Sequence, residues 1–121
     1  MKIISIGDLV TDYYYKNGKL VGVNGGMTSH NIIANISKLG FNTSVYGVCG
    51  NDMAGKIAID SLSILGVDTS NIEIINDTKT RLFHVSYNDQ NGKLEFKSKK
   101  RCPSCNEKKW YEESKIDCTS I

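Results

Sequence analysis

Residues 24–75 repeat a strand–helix alternation, and no other feature limits the fold so tightly. "NGGMTSHNIIANISKLG" (24–40) reads as a glycine pair leading into a helix, and "NTSVYGVCG" (42–50) as a buried strand. "NDMAGKIAIDSLSILG" (51–66) reads as a second helix and "IEII" (72–75) as a short strand. With the apolar opening strand "KIISIG" (2–7), this order predicts βαβ units around a parallel sheet. In the first helix Thr28 or Ser29 is the expected cap. Ile32, Ile33, Ile36 and Leu39 form its expected inward stripe, and Gly40 its stop. In the second, Asp52 or Asn51 caps, Ile57, Ala58, Leu62 and Leu65 form the stripe, and Gly66 ends it.

Two stretches break the alternation. "TDYYYKNGKLVGV" (11–23) carries Asn17-Gly18 between strand-like runs, a strong hairpin signal because a type I′ turn needs positive φ at both central residues. "TRLFHVSYNDQNGKLEFK" (80–97) repeats the pattern with Asn91-Gly92. Neither suits a parallel sheet, so the two hairpins are expected to pair with each other as a small side sheet. The tail "CPSCNEKKWYEESKIDCTSI" (102–121) reads as a turn at Cys102–Cys105 followed by a short helix near 107–115.

A length of 121 residues fits one domain or a piece of one. Its 40% hydrophobic and 23% charged content is that of a globular protein. The net charge of +2 is too small to argue for a nucleic-acid or membrane partner, and "KSKKR" (97–101) reads as a solvated loop. No stretch approaches the roughly 18 apolar residues of a membrane span. The start "MKIISIGDLV" is broken by Asp8 and reads as a strand, not a signal peptide, so a cytoplasmic location is expected. Cys49, Cys102, Cys105 and Cys118 are then reduced thiols or metal ligands.

Asp12 lies just past the first strand, where open α/β sheets bind ligands. Gly25, Gly26 and Asn31 reach the same edge if the hairpin folds back. A carboxylate, an amide and bare backbone N–H groups suit the hydroxyls of a polyol. The same residues also read as a solvated turn (Asp12) and an ordinary first helical turn (Asn31). "GVCGNDMAGK" (47–56) matches no phosphate-loop pattern and reads as a structural turn. Cys102 and Cys105 have the spacing of half a zinc site. Cys118 is a candidate third ligand, with His30, His84 or Cys49 as a fourth; two reduced thiols in a tight turn are the competing reading. His84 reads as a packed strand residue, and His30 as a neutral hydrogen-bonding group in the first turn of its helix.

"IGDLVTD" (6–12), "NGGMTSHNIIANISKLG" (24–40), "VYGVCGNDMAG" (45–55), "LGVDTSNI" (65–72) and Thr80 at the head of a ribbon together resemble the N-terminal half of the ribokinase-like carbohydrate kinases, the PfkB family, over about residues 2–97. The resemblance implies a Rossmann-like α/β sandwich of ribokinase type, here incomplete, with a small β-sheet lid formed by the two hairpins. It implies a core of residues 1–12, 24–78 and 103–121 and lid ribbons at about 13–23 and 79–98. It places sugar contacts on Asp12, Gly25, Gly26 and Asn31. It also implies ATP and Mg2+ as cofactors, a sugar or nucleoside as acceptor, and a homodimer through the lid.

Three departures stand out. Four residues separate Gly26 from Asn31, where the family has three. The "CPSC" segment has no family role, and the family's second signature, a Gly-Ala-Gly-Asp type motif carrying the catalytic base, is absent. The expectation is therefore the acceptor-and-lid portion of a sugar kinase, inactive alone, with its base beyond Ile121. The alternative is a non-catalytic α/β binding module with a cysteine-rich, zinc-binding tail.

Overall fold

The computed structural model describes residues 1–90 and 92–98. In chain order the elements are β1 (Lys2–Ile6), β2 (Val10–Lys16), β3 (Lys19–Gly26), α1 (Thr28–Lys38), β4 (Asn42–Gly50), α2 (Met53–Ser63), β5 (Ile72–Ile75), β6 (Arg81–Asn88) and β7 (Lys93–Ser98). The alternation forms as expected: β1, β4 and β5 make a parallel sheet in the order β1-β4-β5. Both helices pack on the face of β4 that carries Val45 and Cys49. There Leu9, Ile33, Ala34, Ala58, Leu62 and Val67 complete the core. The turn at Cys102–Cys105, Cys118 and the helix near 107–115 lie outside the described residues.

The two hairpins do pair with each other. β2 and β3 are antiparallel across Asn17 and Gly18, whose φ values of 49° and 79° are the positive pair that a tight turn requires. β6 and β7 are antiparallel, and β2 lies parallel to β6. The result is a four-stranded sheet in the order β3-β2-β6-β7. It is pinned to the core where the buried Thr11 hydroxyl donates to the Ala54 carbonyl at 2.6 Å.

α1 differs from its sequence reading at two points. Its N-cap is Met27, with no side-chain cap, not Thr28 or Ser29. The chain turns out of β3 at Met27 (φ 75°, ψ 168°), a conformation that costs a non-glycine residue about 1–3 kcal/mol. Thr28 is already helical, and the Ser29 hydroxyl is occupied in donating to the Asp8 carbonyl at 3.1 Å. The buried face is His30, Ile33 and Ala34, while Ile32 and Leu39 are 51% and 75% exposed. The helix is thus rotated by roughly a third of a turn from the stripe its aliphatic residues define. Small Ala34 allows close approach to the sheet, and His30 finds a polar partner inside.

α2 follows its signals. Asp52, not Asn51, is the cap; its Oδ1 accepts the Gly55 N–H at 2.9 Å. The same carboxylate accepts the Thr80 N–H at 2.9 Å and the Thr80 hydroxyl at 2.6 Å, and Thr80 in turn accepts the Gly50 N–H at 2.9 Å. One side chain therefore ties the start of α2 to the head of β6. Burial disfavours the Asp52 charge, but the Thr80 and Gly55 bonds outweigh it and hold the carboxyl below its ordinary value. A folded pKa below the unfolded one adds stability above the unfolded value, about 3.9, and that stability is lost as pH falls through the folded value. Asp52→Asn should therefore destabilise the chain by about 1–2 kcal/mol at pH 7 and by less at pH 3. Urea unfolding at the two pH values checks this; an equal loss at both would remove the charge from the account.

Candidate functional site

The strand register builds the site. Asp12 lies inside β2, not in a loop past β1, and it stands opposite Asn24 of β3 and Phe83 of β6. Gly25 and Gly26 are the last two residues of β3, directly before α1. Each is a glycine because a neighbour takes its side-chain space. A Cβ on Gly26 would land on the Asp12 carboxylate, 2.6 Å from its Cγ. A Cβ on Gly25 would lie 2.6 Å from His30 Cδ2 and 2.5 Å from the Ser61 hydroxyl.

Tyr14, two residues along β2 and so on the same face as Asp12, donates its hydroxyl to Asp12 Oδ2 at 3.2 Å. Burial raises the Asp12 pKa; the Tyr14 bond and the nearby His30 pull the other way without overcoming it. Tyr14 is raised as well, by burial and then by the Asp12 charge.

His30 is buried beneath Gly25 with Nε2 2.8 Å from the Ser61 hydroxyl. The Ser61 hydroxyl also donates to the Ala58 carbonyl at 2.9 Å. Burial lowers the His30 pKa and keeps the ring neutral. Nδ1 lies 3.3 Å from the Asn31 side-chain Oδ1. Asn31 itself is exposed.

Asp12 thus meets Gly26 directly and lies within electrostatic reach of His30, whose ring holds Asn31. On the same face, Arg81 pairs in register with Val10, and its guanidinium lies over the Phe83 ring at 5.0 Å. It also reaches buried Asp8, with Nη1 to Oδ2 at 4.0 Å. Sequence reasoning did not single out Asp8, Tyr14, Ser61 or Phe83. Tyr14 was open to the period-two rule, whereas Ser61, 31 residues from His30, carries no local signal.

The other candidates resolve differently. His84 bonds the Tyr15 hydroxyl at 3.2 Å within the four-stranded sheet. Cys49 is buried in the core, and burial with the Asp52 charge pushes its thiol up to about 11. Among the described residues no three His, Cys, Asp or Glu side chains converge on a metal position. Cys102 and Cys105 lie outside them. The Gly50 and Gly55 amides of the 47–56 turn are taken by Thr80 and Asp52. Those two amides are therefore not open to a phosphate. A cleft of about 250 Å³ lined by Gly50, Asp52, Lys56, Ile59 and Ile74 shares no residue with the Asp12 cluster.

Comparison with known proteins gives the arrangement its family. The profile of the pfkB family carbohydrate kinases matches residues 2–115. The chain belongs to that family. Solved structures similar to it include ribokinases, fructokinases and a sugar kinase. A fructokinase from Xylella fastidiosa, solved with bound ATP, is 24% identical with a TM-score of 0.69, over 82% of this chain and 33% of that one. A sugar kinase from Pyrococcus horikoshii is 25% identical with a TM-score of 0.73, over 84% and 35%. A Halothermothrix orenii fructokinase is 18% identical with a TM-score of 0.72, over 87% and 40%. This chain spans a third to two-fifths of the length of these structures, and its fold is the ribokinase-type α/β architecture in part. Comparison with curated proteins gives no match. Among the described residues no helix is long and apolar enough to cross a membrane.

Proposed function

We propose that this pfkB-family chain is the acceptor-binding portion of an ATP-dependent carbohydrate kinase. The observation that carries the reading is the Asp12 carboxylate seated on Gly26, beside the His30–Asn31 pair and at the base of the four-stranded sheet. Asp12 accepts from sugar hydroxyls, each charged bond contributing about 1.5–3 kcal/mol. The exposed Asn31 amide bonds a sugar hydroxyl at about 1 kcal/mol, and buried His30 holds that amide in orientation. The β3-β2-β6-β7 sheet covers the sugar. Phosphoryl transfer needs a base and an electrostatic clamp on the moving phosphoryl group. In this reading the rest of the kinase supplies both, so the chain alone binds sugar and does not turn over ATP. On the opposite face of the same sheet, Tyr13 and Tyr15 pack against His84; that aromatic cluster supports a homodimer through the lid.

Calorimetric titration of the chain with pentoses, hexoses and nucleosides tests the reading. Binding of one class is expected, and Asp12→Ala should weaken it by about tenfold or more. Only ionised Asp12 accepts these bonds. Affinity should therefore fall as pH drops, with a midpoint above the ordinary carboxylate value of 3.8. Unchanged sugar affinity in Asp12→Ala would overturn the assignment.

A further inference from the structure

We infer, on the basis of the proposed function, that Asp52 and Thr80 are positioning residues of the acceptor site: through α2 they set how the β3-β2-β6-β7 sheet stands over the glycine pair. Both central strands of that sheet are fastened at their roots to the start of α2. On β2 the buried Thr11 hydroxyl, one residue before Asp12, donates to the Ala54 carbonyl at 2.6 Å. At the head of β6, Thr80 gives its N–H and its hydroxyl to the Asp52 carboxylate at 2.9 Å and 2.6 Å. Further along, α2 reaches the floor of the site. There the Ser61 hydroxyl lies 2.8 Å from His30 Nε2, and a Cβ on Gly25 would run into both residues. One helix therefore holds the sheet at its first turn and the floor two turns later.

The turn at 47–56 is shaped for this seat. A Cβ on Gly50 would lie 2.8 Å from the Thr80 nitrogen, and one on Gly55 2.9 Å from Thr80 Oγ1. Neither glycine has a positive φ, so the close approach of the chain at Thr80, not the backbone of the turn, excludes a side chain there. A helix cap needs one carboxylate oxygen, and Asp52 Oδ1 serves the Gly55 N–H. Asp52 Oδ2 accepts the Thr80 N–H, so the second oxygen serves the strand. Thr80 is buried, and its hydroxyl both donates to Asp52 and accepts from the Gly50 N–H. β6 pairs with β2 from Val10 to Lys16, and Phe83, three residues after Thr80, is the register partner of Asp12. A β6 root that slips off Asp52 carries β2 with it and draws the Asp12 carboxylate off Gly26. Sugar affinity then falls with the fraction of molecules in which the sheet is seated.

The test is calorimetry on this chain with whichever of ribose, fructose, glucose or adenosine the wild type binds. Thr80→Val keeps the shape and the N–H but removes the hydroxyl, and should weaken that binding by about threefold to tenfold. Thr80→Ser restores the hydroxyl and should stay within about twofold of the wild type. Val67→Ala opens a cavity in the core, away from the site, and should lower the melting temperature while leaving affinity within about twofold. A folded Thr80→Val protein with wild-type affinity overturns this inference and leaves the kinase reading standing. An equal fall in Thr80→Ser also overturns it, because the hydroxyl is then not the cause. So does an equal fall in Val67→Ala, because the effect is then one of stability alone. If Thr80→Val does not fold, Asp52→Asn takes its place: its one oxygen still caps Gly55 while its NH2 faces the Thr80 N–H. The same fall is expected there, and unchanged affinity overturns the inference. A wild-type chain that binds none of these probes overturns the kinase reading, and this inference with it.

Discussion

Gly26→Ala is expected to lower sugar affinity by about tenfold to a hundredfold while the chain keeps its fold. The added methyl would occupy the place of the Asp12 carboxylate, 2.6 Å from its Cγ. Gly26 does not have a positive φ, so alanine can adopt its backbone. The atoms in the way are the end of a side chain, which can swing aside. Asp12 would then leave Tyr14 and the sugar position together. Losing one charged hydrogen bond removes about 1.5–3 kcal/mol of binding, which is the stated range in affinity. Calorimetry reads the affinity and a thermal melt reads the fold. Full affinity with a normal melt would mean that the hydroxyls are held somewhere other than over Gly26.

The largest expected loss of stability is from Leu62→Ala, at about 2–5 kcal/mol. Leu62 is fully buried on α2 and packs in the cluster of Leu9, Ile33, Val45 and Val67, where little can move to fill the cavity. Its carbonyl accepts the Val67 N–H at 3.3 Å and the Leu65 N–H at 3.0 Å, so the residue also sits where α2 closes. Ile32→Ala is the matched comparison. The aliphatic spacing of α1 makes Ile32 a core residue, whereas the structure leaves it half exposed, and its loss should change stability by less than about 0.5 kcal/mol. Urea unfolding of the two variants checks both figures. Similar losses from both would mean that α1 is turned the other way.

Leu62 and Ile32 show where local reasoning succeeded and where it stopped. β4 and β5 run over the residues the sequence assigned to them, and the Asn17-Gly18 turn has the backbone its residues demand. Asp52 caps α2 because a short carboxylate before a helix reaches its own first-turn N–H groups whatever surrounds it. α1 resisted the same treatment. Four aliphatic residues pointed to one face, but the helix turned His30 and Ala34 inward. The partner that made this favourable, Ser61, lies a whole helix away in the chain.

The glycine pair shows the same division. A bared backbone beside a helix start was legible, and the structure sets Asp12 against Gly26. What fills the space was not: His30 and Ser61 at Gly25, and the Asp12 carboxylate at Gly26. The pairing of Arg81 with Asp8 across more than seventy residues was not legible either.

The amino-acid order alone determined the kind of each element, its turns and the α2 cap. Those depend on φ/ψ preferences, side-chain period and hydrogen bonds within a few residues. Tertiary structure alone decided which face of α1 is buried, which side chains occupy the glycine spaces and which charges meet. Those depend on groups brought together only when β2, β3, α2 and β6 pack, and their energies follow distance and burial, which the order of residues does not state.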